Sequence, residues 1–166
     1  MSDSQQFVVR RATSEDADAL GRLGALLMRT HYAFDPKRFL APGDSPERGY
    51  GLFLDGQRRD PEVVILVAEM RDTAAIVGYV YAGLEPMSWK ELRDAAGFIH
   101  DVAVAPEARR HGIAAALLEA AADWLREQGA PRVMLWTAEP NVEAQRLFAR
   151  LGFRRTMVEM TKELLP

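Results

Sequence analysis

The stretch VAVAPEARRHGIA, Val102 to Ala114, decides how this chain folds. It opens as the end of an apolar run that starts near Gly97, and such a run reads as a strand buried on both faces. Pro106 stops the strand. From Ala108 to Gln128, Ile113, Leu117, Ala121 and Leu125 recur at helical spacing, and Gly129 marks the stop. The helix so read, Ala108 to Gln128, is entered through Arg109-Arg110-His111-Gly112-Ile113-Ala114. Free backbone amides at a helix start, with the helix dipole behind them, attract phosphate. Gly112 and Ala114 lack bulk, so a diphosphate can approach the backbone, and Arg109 and Arg110 add charged donors. The lysine and hydroxyl of the nucleotide P-loop are missing, and the glycine pattern is not that of dinucleotide folds. Taken alone, the same residues would also suit a helix start whose glycine serves only packing.

The surrounding chain supplies the context. Phe7 to Arg11 reads as a strand, and Thr13 and Ser14 offer cap oxygens ahead of Glu15 and Asp16. Leu20, Leu23 and Leu27 form a helical stripe up to about Met28. Thr30 to Arg59 reads as an aromatic binding loop broken by Pro36, Pro42 and Pro46, with a short helix around Glu47 to Leu54. Glu62 to Met70 and Ala75 to Leu84 form a hairpin, and Pro86 to Ala96 is a polar loop. Arg132 to Thr137 is a strand, Asn141 to Leu151 a helix ended by Gly152, and Phe153 to Leu164 a closing strand. This order predicts a single α/β domain over residues 1–166, with a mixed, twisted central sheet of about six to seven strands and helices on both faces.

Composition narrows the function. The 166 residues carry a net charge of -3, which gives no general attraction to nucleic acid or to an anionic membrane. There is no cysteine, so disulfides, thiolate metal sites and a cysteine acyl relay are excluded, and a reducing cytoplasm is the expected setting. The three histidines are too far apart in sequence to suggest a metal site. Met1 to Gln6 is polar and lacks the apolar core of a signal peptide, and no apolar run is long enough to span a bilayer.

Downstream of the strand–loop–helix lies a second strand and then NVEAQRLFARLGF, Asn141 to Phe153. Together the two segments resemble the GNAT superfamily of N-acetyltransferases. The family signature R/Q-x-x-G-x-G/A matches Arg109, Gly112 and Ala114, and its N-x-x-A…G-F segment matches Asn141, Ala144, Gly152 and Phe153. The resemblance implies acetyl-CoA as co-substrate and no metal. It also implies two central strands, Gly97–Val104 and Arg132–Thr137, that splay apart to admit pantetheine. Pantetheine would pair with the backbone of Val102, Ala103 and Val104, and the diphosphate would lie on the amides of Arg109, Arg110, His111, Gly112, Ile113 and Ala114. Asn141 would approach the pantetheine arm. Relatives commonly dimerise, so a homodimer is an expectation of the resemblance alone.

The implied reaction is direct attack of a primary amine, of a small molecule or a peptide, on the acetyl thioester. The Val102 amide would polarise the carbonyl. Many relatives protonate the leaving thiolate with a tyrosine where this chain has Phe148, which cannot donate a proton. Tyr79, Tyr81 and Tyr32 are conceivable substitutes, and a non-catalytic acyl-CoA-binding or sensing module is the competing reading. His100 and Asp101 are the candidate catalytic pair. An imidazole titrates near neutrality and suits a base, although a buried core histidine would look the same. Strand alternation puts His100 on the face of Val102 and Asp101 on the other. Asp101 would either orient loops or bind a cationic amine. His31, Tyr32 and Phe34, with Glu85 and Trp89, are the candidate acceptor residues. Their acidic and aromatic character suits a cationic acceptor such as an aminoglycoside, polyamine or amino sugar. Met157 and Met160 read as core filler.

Overall fold

The computed structural model describes residues 6–165, so most of the polar start, Met1 to Gln5, lies outside the described residues. Among the described residues five strands form one sheet: β1 (Phe7–Arg11), β2 (Val63–Met70), β3 (Ile76–Glu85), β4 (Ala96–Val104) and β5 (Val133–Leu135). Their order is β1-β2-β3-β4-β5. The first three junctions are antiparallel, and β4–β5 is parallel. The helices are α1 (Ala17–Phe34), α2 (Pro46–Gln57), α3 (Ile113–Glu127) and α4 (Val142–Arg150).

Alternation in the inner strands explains why their sequences read as unbroken apolar runs. On one face Val64, Leu66, Val80, Ala82 and Ile99 pack with Ile113, Leu117, Leu118 and Leu125 of α3 and with Phe148 of α4. On the other, Ile65, Val67, Tyr79 and Tyr81 pack with Leu20, Leu23 and Leu54 of α1 and α2. Burial on both faces removes the polar alternation that a half-exposed strand would show. The two helices on the second face lie close because Gly21, Gly24 and Gly51 stand at their contact: a Cβ on Gly21 would come within 2.3 Å of the Glu47 carbonyl oxygen.

Three expectations are corrected. The sheet has five strands, not six to seven splayed ones. β5 runs beside β4 only from Gly97 to Ile99, opposite Val133 to Leu135, and Phe153–Leu164 forms no strand. Strand-like composition needs an edge on which to pair. Past the turn at Gly152 (φ 90°), the Phe153 amide donates to the Phe148 carbonyl, and beyond it the segment is tied by the Arg38–Glu159 and Arg155–Glu139 ion pairs. Met157 and Met160 are accordingly 79% and 89% exposed and fill no core.

The second correction concerns the aromatic loop. α1 continues to Phe34, so His31, Tyr32 and Phe34 are helical. Thr30 Oγ1 and His31 Nδ1 both lie within 2.9 Å of carbonyls one turn back, so these polar side chains engage the helix rather than end it. Third, α3 starts at Ile113 and not at Ala108, because Arg110 (φ 66°) and Gly112 (φ 76°) are left-handed and keep the chain out of the helix until Gly112 has passed.

Candidate active site

The decisive local feature is a bulge in β4. Tyr81 of β3 pairs with Asp101 and Ala82 with Ile99, which leaves His100 as the extra residue. A bulge resets strand alternation. Ile99 and Val102 both belong to the α3 side of the sheet, whereas His100 and Asp101 both face α1 and α2. The expected opposition of the two side chains is therefore corrected to a shared face. The last β4–β5 pair is Ile99–Leu135, so His100 is also the first residue of β4 beyond the end of that pairing.

Asp101 is held by two phenols. The Tyr50 hydroxyl of α2 donates to its Oδ2 at 2.6 Å, and the Tyr79 hydroxyl of β3 donates to the same oxygen at 3.0 Å. Burial pushes the carboxyl above its ordinary value, against the hydroxyl bonds and the nearby His100 and His31, which pull it down. Burial likewise raises Tyr50, Tyr79 and Tyr81, with the Asp101 charge adding to each, so these phenols keep their protons. The Tyr81 hydroxyl donates to Gln57 Oε1 at 2.8 Å. Two of the three suggested substitute acids therefore have their hydroxyls engaged elsewhere. Phe148 is 7% exposed and packs edge-on against Phe153, within the core.

His100 Nε2 lies 3.3 Å from Glu85 Oε1 at the end of β3. A carboxylate there favours the tautomer with the proton on Nε2 and leaves the Nδ1 lone pair to accept a proton. The imidazole stacks on Phe98 (centroids 5.3 Å apart, planes at 20°) and lies 4.8 Å from the Tyr81 ring. The ring contacts continue in both directions, through Phe53 to Tyr50 on one side and from Phe98 to Trp136 on the other.

At the start of α3 the first helical bond runs from the Ala116 amide to the Gly112 carbonyl, and no side chain caps the helix. The amides of Ile113, Ala114 and Ala115 are left without an intrahelical acceptor. A Cβ built on Gly112 would meet no atom within 4 Å, so space is open in front of the turn. Arg109 turns back and donates through Nε to the Val104 carbonyl at 3.2 Å, tying the loop to the strand. His111 Nδ1 lies 3.3 Å from the Ala108 carbonyl, and Arg110 is exposed. Ile113, Ala103 and Val104 point their side chains into the core and present only backbone. Asn141 Oδ1 accepts from the Ala144 amide at 3.3 Å and caps α4, leaving the rest of its amide group.

The sequence-predicted acceptor residues divide. Glu85 joins His100. His31 stacks edge-on with Phe34 and Phe39, in a separate ring cluster at the end of α1. Trp89 stands 82% exposed on its loop. Sequence reasoning missed Tyr50, Phe53, Phe98 and Trp136. Tyr50 and Phe53 share a helical face at i, i+3, and Phe98 lies two residues before His100 on the same strand, so spacing carried part of that signal.

An open strand edge beside an uncapped, glycine-led helix start defines a protein suited to an extended ligand with a diphosphate. The profile described as the Acetyltransferase (GNAT) family matches residues 26–153. An uncharacterised N-acetyltransferase of Archaeoglobus fulgidus is 31% identical over 89% of this chain and 92% of its own length. A mycothiol acetyltransferase of Stackebrandtia nassauensis is 31% identical over 88% of this chain, which spans 50% of that protein. Among solved structures, a mutant of the BH1408 protein of Bacillus halodurans superposes with a TM-score of 0.79 at 21% identity, covering 95% of this chain and 99% of that one. The chain belongs to the GNAT family and is an acetyl-CoA-dependent N-acetyltransferase. Among the described residues, no group of three or more His, Asp or Glu could hold a metal ion, and no helix is long and apolar enough to cross a membrane.

Proposed function

We propose that this single domain acetylates a primary amine of a small molecule or peptide by direct attack, with His100 as the base. The observation that supports this reading is the His100–Glu85 pair at 3.3 Å, set where β4 leaves β5. Acetyl-CoA supplies the acetyl thioester when bound. The open amides of α3, the space before Gly112 and the exposed Arg110 fit its diphosphate. The β4 backbone from Val102 to Val104, without a partner strand on the β5 side, fits its amide-bearing arm. Asn141, at the tip of α4, would meet that arm. The Val102 amide would hold the carbonyl oxygen as charge develops on it. Nδ1 of His100 takes the amine proton as the N–C bond forms and the C–S bond breaks, and Glu85 balances the imidazolium. With Phe148 in the core and the Tyr79 and Tyr81 hydroxyls engaged, the leaving thiolate takes its proton from Tyr32 or from water. The likeness to mycothiol acetyltransferases supports a small-molecule acceptor.

The test is release of free thiol from acetyl-CoA across a panel of primary amines. Turnover with at least one amine is expected, and His100→Ala should lower kcat by roughly a hundredfold or more while leaving the KM for acetyl-CoA unchanged. Tight coenzyme A binding with no turnover for any amine would instead favour a non-catalytic module. A pH–rate profile unchanged in His100→Ala would remove His100 as the base.

A further inference from the structure

From the geometry of the α2 side we infer that the acceptor is an amine carrying an apolar aryl or alkyl group, seated in a cavity between α1 and α2. The inference rests on the N-acetyl transfer proposed above and names its substrate class. The cavity has a volume of about 400 Å³ and is lined by Met28, Pro42, Ser45, Pro46, Gly49, Tyr50 and Phe53. No charged side chain lines it. The space is open to solvent, so a sugar or polyamine laid against its wall would find few hydrogen-bond partners there, whereas an aryl or alkyl group would cover apolar surface.

A continuous aromatic path joins this cavity to the proposed base. Tyr50 and Phe53 are in edge contact at 5.9 Å, Phe53 and Tyr81 at 5.9 Å, and the Tyr81 and His100 rings lie 4.8 Å apart. Tyr50 faces both ways: its ring lines the cavity and its hydroxyl bonds Asp101. A ligand with its apolar part against Tyr50 and Phe53 would lie on the same side of the sheet as His100, with its nitrogen directed toward the face that carries Glu85 and Asp101. Carboxylates and ring faces both favour a cationic nitrogen before it is deprotonated. This departs from the polar, multiply charged acceptors expected from the acidic and aromatic composition alone.

Gly49 offers a clean probe, since it is exposed on α2 and an added Cβ there meets no atom within 4 Å. Gly49→Leu fills the cavity from its rim, and Phe53→Ala removes part of its wall. The probes are 2-phenylethylamine, hexylamine, ethanolamine, glucosamine and spermidine. In the parent protein, kcat/KM for 2-phenylethylamine and hexylamine should exceed that for glucosamine and spermidine by roughly tenfold or more. In both variants the ratio of kcat/KM for 2-phenylethylamine to that for ethanolamine should fall by roughly tenfold. Thiol release favouring glucosamine or spermidine, or an unchanged ratio in both variants, overturns the inference and leaves N-acetyl transfer standing. Should no amine be turned over, calorimetry on the complex with coenzyme A separates the two claims. Binding of 2-phenylethylamine that weakens in Gly49→Leu supports the cavity while N-acetyl transfer fails, and no binding of it to the parent sinks the cavity as well.

Discussion

Asp16 is 6% exposed, and Arg10 surrounds its carboxylate: Nη1 donates to Oδ2 at 2.8 Å and Nη2 to Oδ1 at 3.0 Å. The Thr13 amide donates to the same Oδ2 at 2.8 Å, so one side chain joins the end of β1 to the turn that starts α1. Arg10 also holds Glu69 on β2. The Arg10 hydrogen bonds lower the Asp16 pKa more than burial raises it. A group whose folded value is depressed stabilises the fold above its unfolded value, near 3.9, and that stabilisation is lost as pH falls through the folded value. Asp16→Asn should therefore cost about 2 kcal/mol at pH 7, since the bonds it removes are to a charged group with little access to water. The loss should shrink as pH falls below about 4, where the carboxylate of the unfolded chain takes up a proton, and vanish once pH has passed the depressed folded value. Urea unfolding at pH 7 and at pH 3 measures both, and an equal loss at the two values would show that the carboxylate charge is not what holds β1 to α1.

At the scale of elements, the α1–α2 contact sets where Tyr50, the proposed wall of the acceptor site, can lie. A Cβ on Gly24 would fall 2.1 Å from Tyr50 Cδ1, and one on Gly51 would fall 2.7 Å from the Ala17 carbonyl oxygen. Gly24→Ala gains about 1 kcal/mol of helix propensity, yet it must push aside the ring that holds Asp101. Overpacking of this kind costs about 1–3 kcal/mol, so Gly24→Ala should come out destabilised by about 1 kcal/mol in urea and raise the acceptor KM. A variant as stable as its parent would show that α1 and α2 can part without cost. This contact also marks the limit of what the sequence could reveal. β1, the β2–β3 hairpin, β4 and α3 were legible because apolar periodicity is local, and the glycine-led, arginine-flanked start of α3, proposed above to hold a diphosphate, could be located because Gly112 and its arginines are contiguous. The bulge at His100 was not, since an extra residue in a strand leaves no mark in composition and appears only once β3 sets the register. Nor was Tyr50 as the partner of Asp101, because a hydrogen bond across 51 residues depends on how closely two glycine-bearing helices pack.

For the whole molecule, the same dependence on context explains the one element that was expected and is missing. The segment after Gly152 has strand-like composition, but Trp136, next after β5, is 74% exposed, and β5 itself ends at Leu135. Met157, Val158, Met160, Leu164 and Leu165 are between 68% and 89% exposed, so beyond Phe153 the segment adds almost no buried apolar area to either core. Its ion pairs, Arg38–Glu159 and Arg155–Glu139, join exposed side chains and contribute at most about 1 kcal/mol each. Both cores are complete without it, since their outermost member from the C-terminal side is Phe153. Removing residues 154–166 should accordingly lower the melting temperature by no more than about 8 °C, given that the two pairs together hold at most about 2 kcal/mol and that 1 kcal/mol shifts a domain of this size by about 2–4 °C. The shortened chain should also keep its affinity for coenzyme A, because β4, the loop to Gly112 and α4 are untouched. Differential scanning calorimetry with and without coenzyme A reads both quantities. A loss of more than about 10 °C would mean that this segment is structural, and that its apolar side chains are covered when the protein is in solution.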